Sequence, residues 1–215
     1  MGSLSERKGI FIVFEGIDGS GKSTQIYMIE QKLFKLGKKY AVTKEPTDGE
    51  VGRLLKKYLT RQIDADSRLI ASLFASDRLD HIFGAGGLKE LIYCGDPSVV
   101  LCDRYYLSSY AYQSMDTPLD WLMALNSVSA AEMKPDCHFF LDLSPGEAVK
   151  RIKSRGNAEL YEEYDKLKII YENYHKSIKI LKEQYNENIV IINADRHVTD
   201  IAEDIWNVIE GMLIV

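Results

Sequence analysis

The sequence is poor in the residues that staple small secreted scaffolds. It holds three cysteines in 215 residues, Cys94, Cys102 and Cys137. The number is odd and none stands in a C-x-x-C pair, which excludes a disulfide framework and the common zinc spacings. Cys102 and Cys137 lie in or beside apolar runs, so the three read as reduced, mostly structural thiols of a cytoplasmic protein. Four histidines, His81, His138, His175 and His197, are scattered without metal-ligand spacing. No apolar run approaches the ~18 residues of a membrane-spanning helix, so no membrane partner is expected. Met1 to Lys8 is short and polar, unlike a signal peptide. Positive charge is also scarce: the net charge of −5 argues against a broad basic face and against nucleic acid as a partner. Repeats, low-complexity tracts and linkers are absent. The length suits one domain, taken as residues 1–215.

What is present is organised around Gly16-Ile17-Asp18-Gly19-Ser20-Gly21-Lys22-Ser23, a G-x-x-x-x-G-K-S phosphate-binding loop. Its context supports the match. Ile10 to Phe14 is an apolar run of strand length before it. From Thr24, Ile26, Ile29, Leu33 and Leu36 recur at helical spacing, with Gly37 where a cap belongs. The glycines allow backbone N–H groups to wrap a phosphate, and the helix N-terminus adds partial positive charge. Lys22 is expected to reach the β- and γ-phosphates and Ser23 to join a Mg²⁺ shell. ATP or GTP with Mg²⁺ is therefore the expected ligand, held by Gly16 through Thr24.

Short apolar runs alternate with helical patterns along the whole chain. Strands are expected at Tyr40–Thr43, Ser98–Cys102, Cys137–Leu143 and Ile189–Ile192. Helices are expected over Val51–Leu59, from Asp66 with Leu69, Ile70, Leu73 and Phe74 on the apolar face, and briefly at Leu88–Ile92. Others follow over Leu107–Gln113, Leu119–Met133, from Ser144-Pro145, about Glu159–Gln184, and Val198–Leu213. Ser144, Pro145 and Glu147 form a helix start with cap, first-turn proline and capping-box acid. The alternation implies an α/β fold with a five-stranded parallel sheet covered on both faces and ligands at the carboxyl ends of the strands.

A second constellation follows the third apolar run. Asp103 is placed either as the acid beside Mg²⁺ or as a helix cap. Arg104 offers a bidentate fork for phosphate or a structural ion pair. Phe74 and Arg78, four apart on one helix, share a face and could sandwich and hydrogen-bond a flat base. Spacing alone favours a core Phe with an exposed Arg. Arg151, Lys153 and Arg155 form a basic run that is either a solvated face or a lid over the triphosphate.

Together these segments resemble the thymidylate kinase family. The resemblance rests on Phe14 to Gln25, on Lys44-Glu45-Pro46, and on Leu73-Phe74-Ala75-Ser76-Asp77-Arg78. It continues through Asp103-Arg104-Tyr105 with Ser108, Ser109, Ala111, Tyr112 and Gln113, then Phe140 to Leu143 and Arg151 to Gly156. It spans essentially the whole chain, in order. It implies phosphoryl transfer from MgATP to dTMP, giving dTDP and ADP, and a homodimer. Residue by residue, it implies that Phe74 stacks on thymine and Arg78 bonds its O4. Arg104 holds the acceptor phosphate, with Lys56 a weaker candidate beside it. Asp18 lies near the sugar 3′-OH and the Mg²⁺ shell with Ser23 and Asp103. Tyr112 packs under the deoxyribose, Ser108 or Ser109 touches the base edge, and Tyr164 covers the acceptor. Some members carry an arginine inside the phosphate loop. Here that position is Gly19, so the transfer cation is expected from a lid at about 145–165: Arg151 or Arg155, with Lys153 in support. The family's R-E-P arginine is Lys44 here, a point charge in place of a fork. A kinase for dUMP, UMP or AMP shares the loop. A nucleotide switch without an acceptor would carry N-K-x-D to read guanine, and no such tetrapeptide occurs.

Overall fold

Five apolar segments pair side by side. In the computed structural model, which describes residues 7–94, 97–153 and 161–213, they form β1 (Ile10–Glu15), β2 (Tyr40–Lys44), β3 (Val99–Asp103), β4 (Cys137–Asp142) and β5 (Ile189–Asn193). Every pairing is parallel, in the order β2-β3-β1-β4-β5. The middle strands carry apolar residues on both faces because helices cover both. Phe11 to Phe14, Val99 to Cys102 and Phe139 to Leu141 are all buried. The outer strands are less covered, and Val42 and Ile191 are about half exposed. His138 is a polar exception within β4. It is fully buried, with its Nε2 3.0 Å from the Glu187 carboxylate.

The helices are α1 (Lys22–Lys35), α2 (Glu50–Leu59), α3 (Ser67–Phe83), α4 (Tyr106–Tyr112), α5 (Leu119–Leu125), α6 (Ser127–Glu132), α7 (Pro145–Lys153), α8 (Tyr161–Tyr185) and α9 (Val198–Leu213), with a short helical turn at Glu90–Cys94. From β1 the chain passes to β2, returns to insert β3 between them, and then crosses to β4 on the other side. The carboxyl end of β1 is thus the point where the winding reverses, which is where doubly wound sheets leave a crevice.

Local signals mark several boundaries. Asp66 caps α3 by accepting the Arg68 N–H at 2.8 Å. Ser144 Oγ accepts the Glu147 N–H at 3.3 Å at the start of α7. Gly37 adopts φ +64 after α1, and the Lys38 N–H returns to the Leu33 carbonyl at 3.0 Å, a Schellman-type stop.

Three expectations are corrected. The single helix over Leu119–Met133 is two helices, α5 and α6, because Asn126 interrupts it. Its Nδ2 donates to the Leu122 carbonyl at 2.8 Å while its Oδ1 accepts from buried Arg78. Leu36 is exposed, since α1 ends at Lys35 and Leu36 is already its C-cap. The inward face of α3 is Ala71, Ala75, Arg78 and Ile82, with Leu69 exposed and Ile70, Leu73 and Phe74 half-buried. A buried arginine, held by polar partners, rotates the helix away from the face that apolar spacing alone selects.

Replacing Gly37 by Ala should destabilise the protein by about 1 kcal/mol, because a Cβ is disfavoured at positive φ. No other atom lies within 4 Å of the added Cβ, so the loss is conformational and not steric. Urea unfolding should show a lower midpoint with an unchanged slope.

Candidate active site

The loop between β1 and α1 is shaped by backbone that only glycine takes easily. Gly16 has φ +144, and a Cβ there would meet the Leu141 carbonyl at 2.9 Å. Gly19 has φ +84, and its Cβ would strike the Ala148 carbonyl at 2.9 Å, so α7 packs directly on the loop. Lys22, in the first turn of α1, is buried. Its ammonium donates to the Gly16 and Ile17 carbonyls at 3.0 and 3.2 Å. Burial pushes its pKa down to about 8, with Arg104 adding to the fall while Asp103, Asp18 and Glu15 oppose it. The Ser20 hydroxyl is buried and makes no hydrogen bond among the described residues.

The parallel pairing of β1 with β3 sets Phe14 opposite Asp103. Asp103 therefore arrives beside the loop. One carboxylate oxygen accepts the Ser23 hydroxyl at 3.1 Å; the other is buried without a partner among the described residues. Such a pair fits Mg²⁺, which is commonly held by one or two carboxylates plus phosphate oxygens. No cluster of three His, Cys, Asp or Glu side chains that could hold a metal occurs among the described residues. A phosphate-assisted site does not need one.

Arg104 follows with φ +72, a conformation that costs a non-glycine residue on the order of 1–3 kcal/mol and clusters at functional sites. Its Nη2 donates to Asp18 and, at 3.1 Å, to the Tyr112 hydroxyl. The Tyr112 ring lies 4.8 Å from the guanidinium. Burial works to raise the Asp18 pKa, but Arg104 and Lys22 outweigh it and hold the carboxyl below its usual range. Two cavities meet at this ion pair. One, of about 380 Å³, is lined by Gly19, Gly21, Lys22, Ser23 and Thr24 of the loop and helix start, with Asp103 and Ile152. The other, of about 300 Å³, is lined by Phe74, Arg78, Ser109, Tyr112, Gln113 and Lys166 among others. Asp18 and Arg104 line both. A larger cavity, of about 700 Å³, lies between α5, α6 and α8 but shares no lining residue with these two.

In the second cavity, Phe74 and Arg78 do share a wall, as their spacing predicts, but their burial is the reverse of the plain reading: Arg78 is fully buried and Phe74 half-buried. Arg78 pairs with Glu45 at 2.6 Å, donates to Asn126, and reaches the Ser109 hydroxyl at 3.2 Å. Burial opposes its charge, and Glu45 more than offsets that, so its pKa is raised. Glu45 also accepts from or pairs with His81 Nδ1 at 3.0 Å. The result is a partly apolar cavity with a fixed guanidinium in its wall.

Comparison with known proteins gives the same reading. A family model for thymidylate kinase matches residues 14–205. The chain belongs to the thymidylate kinase family. A probable thymidylate kinase of Pyrococcus abyssi is 36% identical, covering 96% of this chain and 98% of that protein. A thymidylate kinase of Caldicellulosiruptor saccharolyticus is 37% identical with the same coverage. A putative thymidylate kinase of Treponema pallidum is 40% identical over 71% of each chain. The protein is thus a kinase.

Against the family pattern, the structure brings Lys22, Ser23, Asp18, Asp103, Arg104, Phe74, Arg78, Ser109 and Tyr112 into the two cavities. Ser108 lines the second cavity too, but its hydroxyl is bonded to Glu15. Lys56 is turned to Asp48 and the Thr47 carbonyl, and Lys44 to Asp48, so neither lines the cavities. Arg151 donates to the Ala194 carbonyl at 2.9 Å, beyond the end of β5. Lys153 ends α7 and is exposed. Arg155 and part of the expected lid lie outside the described residues. Tyr164 is exposed; Lys166, two residues on, lines the second cavity instead. Sequence reasoning also passed over Glu15, Asn126 and Tyr174. Glu15 stands directly before the loop, a position that could have drawn attention, whereas Asn126 and Tyr174 carry no local signal.

Because free Lys22 titrates near 8 and a phosphate favours its charged form, ATP affinity should fall as pH rises through that value. The sign follows from the depressed pKa: binding re-protonates the lysine. Calorimetry at pH 8 in buffers of different ionisation heat should detect uptake of about half a proton, and Lys22→Met should abolish it.

Proposed function

We propose that this kinase transfers the γ-phosphate of MgATP to dTMP, giving dTDP and ADP. The observation that carries the reading is the sharing of Asp18 and Arg104 by the phosphate-loop cavity and the aromatic slot. A donor phosphate in the first and an acceptor phosphate in the second would face each other across that pair.

The acceptor is a phosphate monoester with a second pKa near ~6, mostly dianionic at pH 7, so it needs no general base. The difficulty is bringing two anions together. Lys22 and the loop N–H groups hold the donor phosphates, and Arg104 holds the acceptor phosphate. Ser23 and Asp103, with Asp18 close by, would hold Mg²⁺, whose charge would offset that of the β- and γ-phosphates. Phe74 stacks on the thymine, Arg78 bonds its O4, and Ser109 lies at the base edge. Tyr112 fills the space beneath the sugar where a ribose 2′-OH would sit. Tyr164, exposed on α8, would cover the bound nucleotide only on closure over the site. Arg151, Lys153 and Arg155 add lid cations during transfer, the role left open by Gly19 in the loop.

We extend the proposal to a cytoplasmic homodimer. Among the described residues no helix is long and apolar enough to cross a membrane. Leu54 on α2 and Leu69 on α3 are 40% and 45% exposed, apolar area that a second copy would cover.

An ADP-release assay with dTMP, dUMP, ribo-TMP, AMP and thymidine tests the acceptor. Strong turnover is expected with dTMP, weak turnover with the ribonucleotide and none with thymidine; preference for AMP would remove Phe74 and Arg78 as a thymine reader. Separately, Arg104→Ala should raise the KM for dTMP by about 10- to 100-fold, the loss of a charge-assisted contact. ATP affinity should hardly change. An equal loss of ATP affinity would be inconsistent with the assigned role.

A further inference from the structure

Behind Arg104 lies a polar array that no sequence motif explains. Glu15 ends β1 with its side chain fully buried. Its Oε1 accepts the backbone N–H groups of Tyr105 and Ser108 at 2.9 and 3.2 Å. Its Oε2 accepts the hydroxyls of Ser108 and Tyr174 at 2.5 and 3.1 Å. Four donors thus meet the roughly four acceptor directions of one carboxylate. Each hydroxyl has a single proton. Whether that proton goes to Glu15 or along the contact between the two hydroxyls, each oxygen keeps lone pairs to accept with, and both face Arg104 Nη1, at 3.2 Å for Ser108 and 3.4 Å for Tyr174. The array therefore has a direction, from guanidinium to hydroxyls to carboxylate. The two hydroxyls stand 2.8 Å apart and close the triangle.

This arrangement separates holding a cation from neutralising it. A carboxylate bonded directly to Arg104 from behind would compete with an incoming phosphate. Two neutral hydroxyls fix the guanidinium and leave its charge for an anion in front. Asp18 does pair directly with Arg104, but its side chain is 59% exposed and can be displaced. Tyr174 is fully buried, packed edge-on against Tyr112 at 6.1 Å and tilted against Phe140 at 5.0 Å. It belongs to α8, the helix that also lends Lys166 to the acceptor-side cavity.

We propose that Tyr174, acting with Glu15 and Ser108, is a positioning residue that sets the Arg104 guanidinium against the acceptor phosphate, and that α8 is coupled to the site through this hydroxyl. The proposal rests on the reading of Arg104 as the acceptor-phosphate residue.

Tyr174→Phe keeps the ring and deletes the hydroxyl. It should raise both the KM and the calorimetric Kd for dTMP about 5- to 30-fold, as loss of a hydrogen bond to a charged group does. Affinity for ATP should stay within about twofold. The decisive readout is a double-mutant cycle. In an Arg104→Ala background, Tyr174→Phe should add no further loss of dTMP affinity, because the group it positions is gone. Glu15→Gln serves as a second variant, expected to weaken dTMP binding alone and to be silent on Arg104→Ala. Unchanged dTMP binding in Tyr174→Phe, or a loss that adds in full on Arg104→Ala, overturns the positioning role. A normal KM for dTMP in Arg104→Ala alone would instead overturn the reading of Arg104 and the proposal with it.

Discussion

The side-by-side ending of β1 and β3 is the constraint on which the site depends. Parallel register sets Phe14 opposite Asp103, and the Arg104 N–H continues the ladder to the Phe14 carbonyl at 2.9 Å. One strand delivers the glycine loop and the other delivers Asp103-Arg104, so two segments some 80 residues apart meet without any loop having to find its partner. The reversal of winding at β1 keeps the crevice open at that edge.

Charge burial is the second theme. Taking Lys22 and Arg78 out of water is costly, and the structure offsets that cost differently in each case. Arg78 is matched outright by Glu45 and held by Asn126 and Ser109, which fixes its guanidinium in the wall of the second cavity. Lys22 has no carboxylate in direct contact among the described residues; it borrows two backbone carbonyls and its pKa falls. The unmatched cation is the one that lines the phosphate-loop cavity. Arg104 lies between these limits, paired in front with exposed Asp18 and steadied behind by hydroxyls.

The apolar runs of β1, β3 and β4 and the glycine loop were legible because burial on both faces and positive φ each demand particular residue types over a few consecutive positions. Asp103, Arg104, Phe74 and Arg78 were also legible, as motif residues at strand ends or on one helix face. The inward face of α3 was not, since Arg78 is buried by partners that lie 33 and 48 residues away, Glu45 and Asn126. The break at Asn126 was missed for the same reason: the helix is interrupted to serve a contact in another element. Tyr174 sits in an ordinary amphipathic helix, and nothing near it in the chain distinguishes it from a core tyrosine.

The sequence alone determined the alternation of strands and helices, the phosphate loop and the chemistry of its ligand, because these depend on local periodicity and on contiguous residues. Only the tertiary structure decided which buried charges are matched, that Asp18 and Arg104 divide two cavities, and that Glu15, Ser108 and Tyr174 stand together behind the arginine. Those facts depend on strand order and helix packing, which bring together groups that the chain itself keeps far apart.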